Sequence, residues 1–284
     1  MLRKKGPNVN NLTKGIDRQS FNNIRKHVNQ KYGINLSLSK KNLVENRLFK
    51  RLRHYNFESY SEYHDFIFSQ KGRNELALLS DYLSTNKTYF YREHAHFEFF
   101  NAFMERFDRH KTLSIWSAAS STGDEAYTLS ILLNEFNDRN PHQRIRYSIL
   151  GTDISSSVLQ IANEGVYKKS HLESLPQALF SKYFKKMTSE NGSESYRLID
   201  RVRHYVQFKK LNLINDIPSV IQKFDIIFCR NVLIYFDDEN KTKVNKQLIN
   251  SLKPGGYLVL GHCEGFICKS DKVKQVQPAV FQKL

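Results

Sequence analysis

The stretch from Phe224 to Phe236 does most to limit how this chain can fold. Phe224-Asp225-Ile226-Ile227-Phe228-Cys229 is apolar enough to lie inside a sheet, and it stops abruptly at Arg230-Asn231, with Tyr235 just beyond. A helical pattern follows over about 238–252, then Pro254-Gly255-Gly256. Ligands of open α/β sheets bind at the carboxyl ends of strands, so the polar end of this run is a site candidate.

The rest of the chain after about residue 110 keeps the same rhythm. Strands are expected at 113–118, 145–153, 205–211, 224–229 and 257–260, with helices at 124–137, 155–164 and 238–252. Such alternation specifies a parallel, doubly wound sheet. It is interrupted between about 175 and 208, where Asn191-Gly192 is a hairpin dipeptide flanked by Tyr183-Phe184 and Ser195-Tyr196-Arg197-Leu198. A small antiparallel insertion is expected there.

The first part of the chain differs in both pattern and charge. Apolar residues at helical spacing (Phe21, Ile24, Val28, then Leu43, Leu48, Leu52) break at Tyr32-Gly33 and restart with Ser39 as the expected N-cap. Further helices are expected at 59–70 and 73–84. Residues 1–15, with Gly6-Pro7-Asn8 and Asn10-Asn11, read as a mobile basic tail, and 16–85 as a helical domain. Before residue 60, fourteen Lys and Arg face only Asp17, Glu45 and Glu58, so much of the formal +16 charge lies there. Such a field attracts nucleic acid, anionic membrane surface or an acidic protein partner, and charge alone does not choose. No apolar run reaches bilayer-spanning length, and Met1-Leu2-Arg3-Lys4-Lys5 does not lead into a secretory signal. Cys229, Cys263 and Cys268 show no paired spacing, which suits a reducing compartment, and a cytoplasmic protein without membrane insertion is expected.

Three segments carry chemistry. The first strand ends in Ala118-Ala119-Ser120-Ser121-Thr122-Gly123-Asp124-Glu125. A phosphate site would favour more glycines and a basic residue; the two acids here repel phosphate but suit the cationic amino-acid portion of S-adenosylmethionine, and they would also complement the dipole of the next helix. Asp153 closes the second strand, where a carboxylate can accept both ribose hydroxyls or can cap the following helix. Ser84-Thr85-Asn86-Lys87-Thr88-Tyr89-Phe90-Tyr91-Arg92-Glu93 mixes amide, hydroxyl, aromatic and guanidinium groups at the join of the two regions. His262, Cys263, Glu264 and Cys268 are spaced too irregularly for a zinc site, and no metal is expected; Trp116 reads as core.

Taken in order, Asn86-x-Thr88-x-Phe90-x-Arg92, Trp116-Ser117-Ala118-Ala119-Ser120-Ser121-Thr122-Gly123-x-Glu125, Gly151-Thr152-Asp153-Ile154, Phe228 to Phe236, and Lys253-Pro254-Gly255-Gly256 with Gly261-His262-x-Glu264 resemble the CheR-type chemotaxis receptor methyltransferase family over about residues 80–266. The resemblance implies a class I S-adenosylmethionine-dependent methyltransferase fold, Rossmann-like and doubly wound, over 86–284, with the helical N-terminal domain and the β-subdomain insertion. It implies methyl transfer to glutamate side chains of methyl-accepting chemotaxis receptors, with S-adenosylhomocysteine as product. By motif position Asn86, Thr88, Arg92, Glu125, Asp153, Asn212, Leu213, Arg230 and Asn231 would bind the donor, and Arg92 and Tyr235 would lie near the transferred methyl group. The insertion could dock a receptor tail peptide. Asp124, Ala126, Tyr91 and Cys263 stand where the family more usually has Glu, Pro, Phe and Ser.

Two other classes share some of these features. A nucleic-acid methyltransferase would suit the +16 charge, but Asn231 is not followed by the Pro-Pro-Tyr type of sequence expected for a base-amine acceptor. A non-catalytic module that binds the donor or a receptor would not need both Arg92 and Tyr235.

Overall fold

The computed structural model describes residues 15–188, 193–217, 222–268 and 270–284. Residues 1–14 of the tail expected over 1–15, and the expected hairpin dipeptide Asn191-Gly192, lie outside the described residues. The chain forms two units, Met1–Thr85 with Tyr235–Asp237, and Asn86–Ile234 with Asp238–Leu284.

In the first unit, α1 (Arg18–Tyr32), α2 (Lys41–Tyr55), α3 (Tyr60–Phe68), α4 (Arg73–Ala77) and α5 (Leu79–Leu83) pack around Phe21, Ile24, Val28, Val44, Leu48, Leu52, Tyr63 and Ile67, all buried. The i, i+3, i+4 spacing puts these side chains on one stripe per helix. Asp17 caps α1 by accepting the Ser20 N–H, and Gly33 ends it in the left-handed region at φ 72°. Ser39 is not the cap expected for α2. It lies inside a 3-10 turn (Leu38–Lys40), where its hydroxyl bonds to Ser37, and the turn runs directly into the helix. Tyr235–Asp237 joins this unit through the Asn35 N–H to the Tyr235 carbonyl (2.7 Å), an Ile34–Phe236 bridge and the Asn29 amide to Asp237 (2.8 Å).

The polar centre of this unit is Glu75, only 2% exposed. Its carboxylate accepts Arg51 at 2.7 and 2.8 Å, the Tyr63 hydroxyl at 2.9 Å and the Tyr55 hydroxyl at 3.1 Å. Burial alone would raise this carboxyl, but the Arg51 and Tyr63 hydrogen bonds outweigh it and hold it below the ordinary range.

The second unit is built on a seven-stranded sheet in the order β6-β2-β1-β7-β8-β10-β9. Its strands are β1 (Thr112–Ala118), β2 (Arg146–Asp153), β6 (Val206–Lys210), β7 (Phe224–Cys229), β8 (Leu252–Leu260), β9 (Val273–Gln277) and β10 (Val280–Lys283). The strands from β6 to β8 are parallel, whereas β10 runs against both its neighbours. The order reverses at β1, so the switch point falls where β1 and β7 end side by side, with Ala118 opposite Cys229.

Helices α7 (Asp124–Arg139), α8 (Ser156–Glu164) and α12 (Asp238–Ser251) supply the crossovers that parallel pairing needs. α6 (Ala95–Arg106), which sequence periodicity did not pick out, sets Phe97 and Phe100 against Phe228, and Phe99 and Phe103 against Tyr257. Trp116 is fully buried, as expected, with its Nε1–H on Thr152 Oγ1 at 2.9 Å. The Lys253–Gly256 segment bulges β8: Phe224 pairs with Leu252, yet Ile226 pairs with Tyr257. A Cβ on Gly256 would stand 3.0–3.1 Å from three backbone carbonyls, which explains the glycine.

A second sheet, β3 (Val166–Tyr167), β5 (Glu194–Leu198) and β4 (Phe184–Thr188) in that order, is antiparallel. It begins upstream of the expected 175–208 window and ends before it, because Val206–Lys210 pairs with β2 at the edge of the large sheet. Between its strands lie the short helices α9 (Lys169–Leu172) and α10 (Gln177–Tyr183), and α11 (Asp200–Arg203) follows.

Replacing Glu75 with Ala leaves Arg51, 21% exposed, without its carboxylate and two tyrosine hydroxyls without their acceptor. Loss of one partner from a buried pair costs about 3–5 kcal/mol. Urea unfolding of the full chain followed by far-UV circular dichroism should show a loss of that order in the helical unit.

Candidate active site

The ends of β1, β2 and β7 converge at the switch point, and the backbone there is unusual. Ala119 (φ 61°), Ser121 (49°) and Gly123 (89°) alternate into the left-handed region as the chain turns from β1 into α7. Only glycine enters that region freely, and each other residue costs about 1–2 kcal/mol, so the surroundings must impose the turn. They do so through hydrogen bonds. The Ser120 N–H donates to the Thr152 carbonyl, the Ser121 N–H to Asp153 Oδ2 (2.9 Å) and the Ser121 hydroxyl to the Asn86 carbonyl (2.9 Å). A Cβ on Gly123 would meet Phe208 at 2.9 Å and Ala162 at 3.0 Å.

Asp153 ends β2 and is 6% exposed. Its other oxygen accepts the Ser155 N–H at 3.0 Å, and Ser155, not Asp153, caps α8 by accepting from Val158. The capping alternative for Asp153 therefore falls away. Its carboxylate is fixed instead between the β1 turn and the β2 end.

The acidic turn is less open than its sequence implied. Asp124 is fully buried, with Oδ2 taking the Thr122 hydroxyl (2.5 Å) and Oδ1 facing His171 Nδ1 (3.2 Å). Glu125 accepts the Ser117 hydroxyl (2.7 Å) and Arg230 Nη1 (2.9 Å). Both charges are thus largely met from within the protein, and the electrostatic case for a cationic ligand weakens accordingly.

Arg230, at the end of β7, turns inward; its side chain is 2% exposed. Beyond Glu125 its guanidinium reaches the Arg92 carbonyl and Glu93 Oε2 (3.2 Å), and it lies over the Phe97 ring at 5.4 Å. Asn231, in the left-handed region at φ 57°, gives its amide to Glu93 Oε1 (2.9 Å) and its N–H to Glu264 Oε2 (2.7 Å). Glu264 also accepts the N–H groups of Gly261 (2.9 Å) and Ile234 (3.2 Å). Burial still pushes its carboxyl above the ordinary range. A Cβ on Gly261 would be 2.6 Å from Glu264 and 2.8 Å from the Asn231 amide, so the glycine is dictated by this anchor.

The loop carrying Asn86, Thr88 and Arg92 is held by the same network. Tyr91 (φ 60°) and Glu93 (φ 57°) are both left-handed, flanking Arg92. Arg92 is half-buried; its Nη1 donates to the Lys87 carbonyl at 2.8 Å and its guanidinium lies 5.9 Å from the Tyr89 ring. No carboxylate pairs with it among the described residues. Thr88 is half-buried nearby in sequence. Asn212 follows β6 and turns its side chain to its own loop, accepting the Ile214 N–H at 3.0 Å, while Leu213 is buried. The Leu211 N–H bonds to the Asp153 carbonyl, which brings this loop beside the β2 end. Tyr235 lies in the other unit, with the Lys40 amine 5.5 Å above its ring.

Sequence reasoning assigned roles to Arg230 and Asn231 but none to Glu93, which holds both, or to Glu264, which holds Asn231. The signal for Glu264 was its place three residues after Gly261, the spacing at which a glutamate reaches back to an N-cap N–H.

Two family models cover nearly the whole described chain: "CheR methyltransferase, all-alpha domain" matches residues 19–84, and "CheR methyltransferase, SAM binding domain" matches 86–281. The chain belongs to the CheR methyltransferase family. It is 35% identical over 280 residues to the chemotaxis protein methyltransferase of Borreliella burgdorferi, covering 96% of this chain and 97% of that one. It is 35% identical over 266 residues to chemotaxis protein methyltransferase 2 of Pseudomonas aeruginosa, covering 93% and 92%. The Escherichia coli chemotaxis protein methyltransferase is 33% identical over 246 residues, covering 87% and 84%. The methyl donor of this CheR fold is S-adenosylmethionine, and the strand ends fit it. Asp153 is oriented there by backbone N–H groups, and the Ser120 hydroxyl in the β1 turn is buried without a hydrogen-bond partner.

Hydrogen bonding to Asp124 raises the pKa of His171 above the ordinary 6.5, so the contact is made with charged imidazole. Its stabilisation is complete below pH 6.5 and disappears as pH rises through the folded-state value. Histidine NMR should show His171 titrating above 6.5, falling toward 6.5 in Asp124→Asn; an unchanged midpoint in that variant would disprove the pairing.

Proposed function

We propose that this protein transfers a methyl group from S-adenosylmethionine to glutamate side chains of methyl-accepting chemotaxis receptors, forming glutamyl methyl esters. The observation that carries this reading is the contrast between two arginines, Arg230 at the end of β7 and Arg92 in the loop before α6. Arg230 is neutralised by Glu125 and Glu93, whereas Arg92 has, among the described residues, a carbonyl and a ring as its partners and can take an incoming carboxylate. The names of the relatives support a receptor substrate.

The donor supplies a methyl carbon already activated by its sulfonium. A glutamate acceptor is already ionised at neutral pH, so no strong general base is needed and positioning is the main task. Arg92 would orient a carboxylate, and near-attack alignment with exclusion of water can contribute several kcal/mol. Asp153 would accept the ribose hydroxyls, with Asn86, Thr88, Asn212 and Leu213 around the nucleoside. Glu125 and Asn231 would border the donor, Arg230 holding the first directly and the second through Glu93. Tyr235 would fix an acceptor oxygen through its hydroxyl; that assignment rests on its sequence motif.

The acidic methylation helices of a receptor would meet exposed Lys26, Lys31, Lys50 and Arg53 of the helical unit, an attraction that weakens with salt. The small β3-β5-β4 sheet would hold a receptor tail peptide.

Labelled donor should enter receptor cytoplasmic fragments and be released as methanol by mild base, because an ester hydrolyses and an N-methylated base does not. Label entering RNA alone, stable to base, would reverse the conclusion. Arg92→Ala should lower kcat/KM by about two orders of magnitude, the scale for losing one charge-stabilising donor. Tyr235→Phe should lower it by about tenfold, the worth of one hydrogen bond. Wild-type turnover in both folded variants would refute these two assignments.

A further inference from the structure

His96 presents a problem that methyl transfer does not solve. It is 2% exposed, and neither ring nitrogen has a hydrogen-bond partner, although buried polar atoms are ordinarily paired. Its Nδ1 faces Glu93 Oε2 at 3.4 Å, and its ring is stacked on His262 with centroids 4.6 Å apart. The donor atoms of Glu93, His96 and His262 all lie within 4.8 Å of one another. Two residues come from the Arg92 loop and α6, and the third follows β8, so the fold, not sequence spacing, assembles them.

The geometry points to a site for a single divalent metal of the zinc class, held by His96, His262 and Glu93, with its fourth position open. Two imidazoles and one carboxylate are a borderline donor set that favours zinc or cobalt over magnesium or calcium, which prefer oxygen alone. Bonds of about 2.1 Å require the donors to draw closer than they stand now. His262 is exposed and can supply that movement by side-chain rotation. Local charge permits a cation: Glu93 and Glu125 share one guanidinium, Arg230.

The metal and Arg230 compete for Glu93 Oε2. Occupancy would therefore loosen Arg230 from the loop that presents Arg92 and weaken donor binding, a consequence that rests on the donor-site reading above. The coupling is reciprocal by linkage.

The test uses the full chain, stripped of metal. Cobalt(II) added without donor should bind one to one with the visible absorption of a tetrahedral ion, and zinc should displace it. His262→Ala, an exposed position, should weaken binding at least tenfold, while Cys263→Ser, which removes the neighbouring exposed thiol, should leave it unchanged. S-adenosylhomocysteine affinity, measured first without metal to establish the donor site, should fall severalfold when zinc is present. Absence of one-to-one binding, equal affinity in His262→Ala, or loss in Cys263→Ser would overturn the metal site. Unchanged affinity for S-adenosylhomocysteine with zinc bound would overturn its coupling to the donor.

Discussion

The buried guanidinium of Arg230 is the interaction on which the site depends. It stands at the end of β7, next to the switch point, and ties three segments together: Glu125 from α7, Glu93 and the Arg92 carbonyl from the loop before α6, and the Phe97 ring from α6 itself. An arginine so deeply buried is tolerable only if its donors are met. Two carboxylates and a carbonyl meet them, although Nε is left without a partner. The gain from such a pair relative to apolar packing is small, but removing one member strands the others. Its value here is geometric.

That geometry includes strain. Tyr91 and Glu93 are non-glycine residues in the left-handed region on either side of Arg92, and Asn231 adopts the same conformation beside Arg230. Each would relax if released. Asn231 is held by Glu264 through its N–H and by Glu93 through its amide, so the β7 end, the Arg92 loop and the turn after β8 lock one another. A loop held this way presents Arg92 in one orientation, which is what a reaction limited by positioning needs. The cluster of His96 and His262 leans on the same carboxylate, which is why a cation there would be felt at the clamp.

Most of the fold was legible from apolar periodicity. The parallel strands and crossover helices lie within two residues of their expected bounds, except that β8 starts at Leu252 and not Tyr257; burial on both sheet faces leaves unbroken apolar runs. The helix α6 was missed because its first half, Ala95-His96-Phe97-Glu98-Phe99-Phe100, is as aromatic as a strand. The β9–β10 hairpin was missed because Val273–Gln277 is polar and almost entirely exposed. At the site, residue types were readable but their partners were not. Asp124 and Glu125 look alike in sequence, yet one is buried against Thr122 and His171 and the other carries Arg230. Glu93 and Glu264 matter through contacts with residues 138 and 33 positions away, which no local pattern encodes.

If the Arg230 clamp builds the donor-binding surface, as proposed, calorimetric titration of S-adenosylhomocysteine into Arg230→Met will register its loss. Methionine keeps much of the side-chain volume and removes the guanidinium. With folding verified by circular dichroism, affinity should fall at least about tenfold, equivalent to about 1.4 kcal/mol or more. A folded variant that bound the ligand as tightly as the wild type would show that the donor surface does not depend on the Arg230 guanidinium.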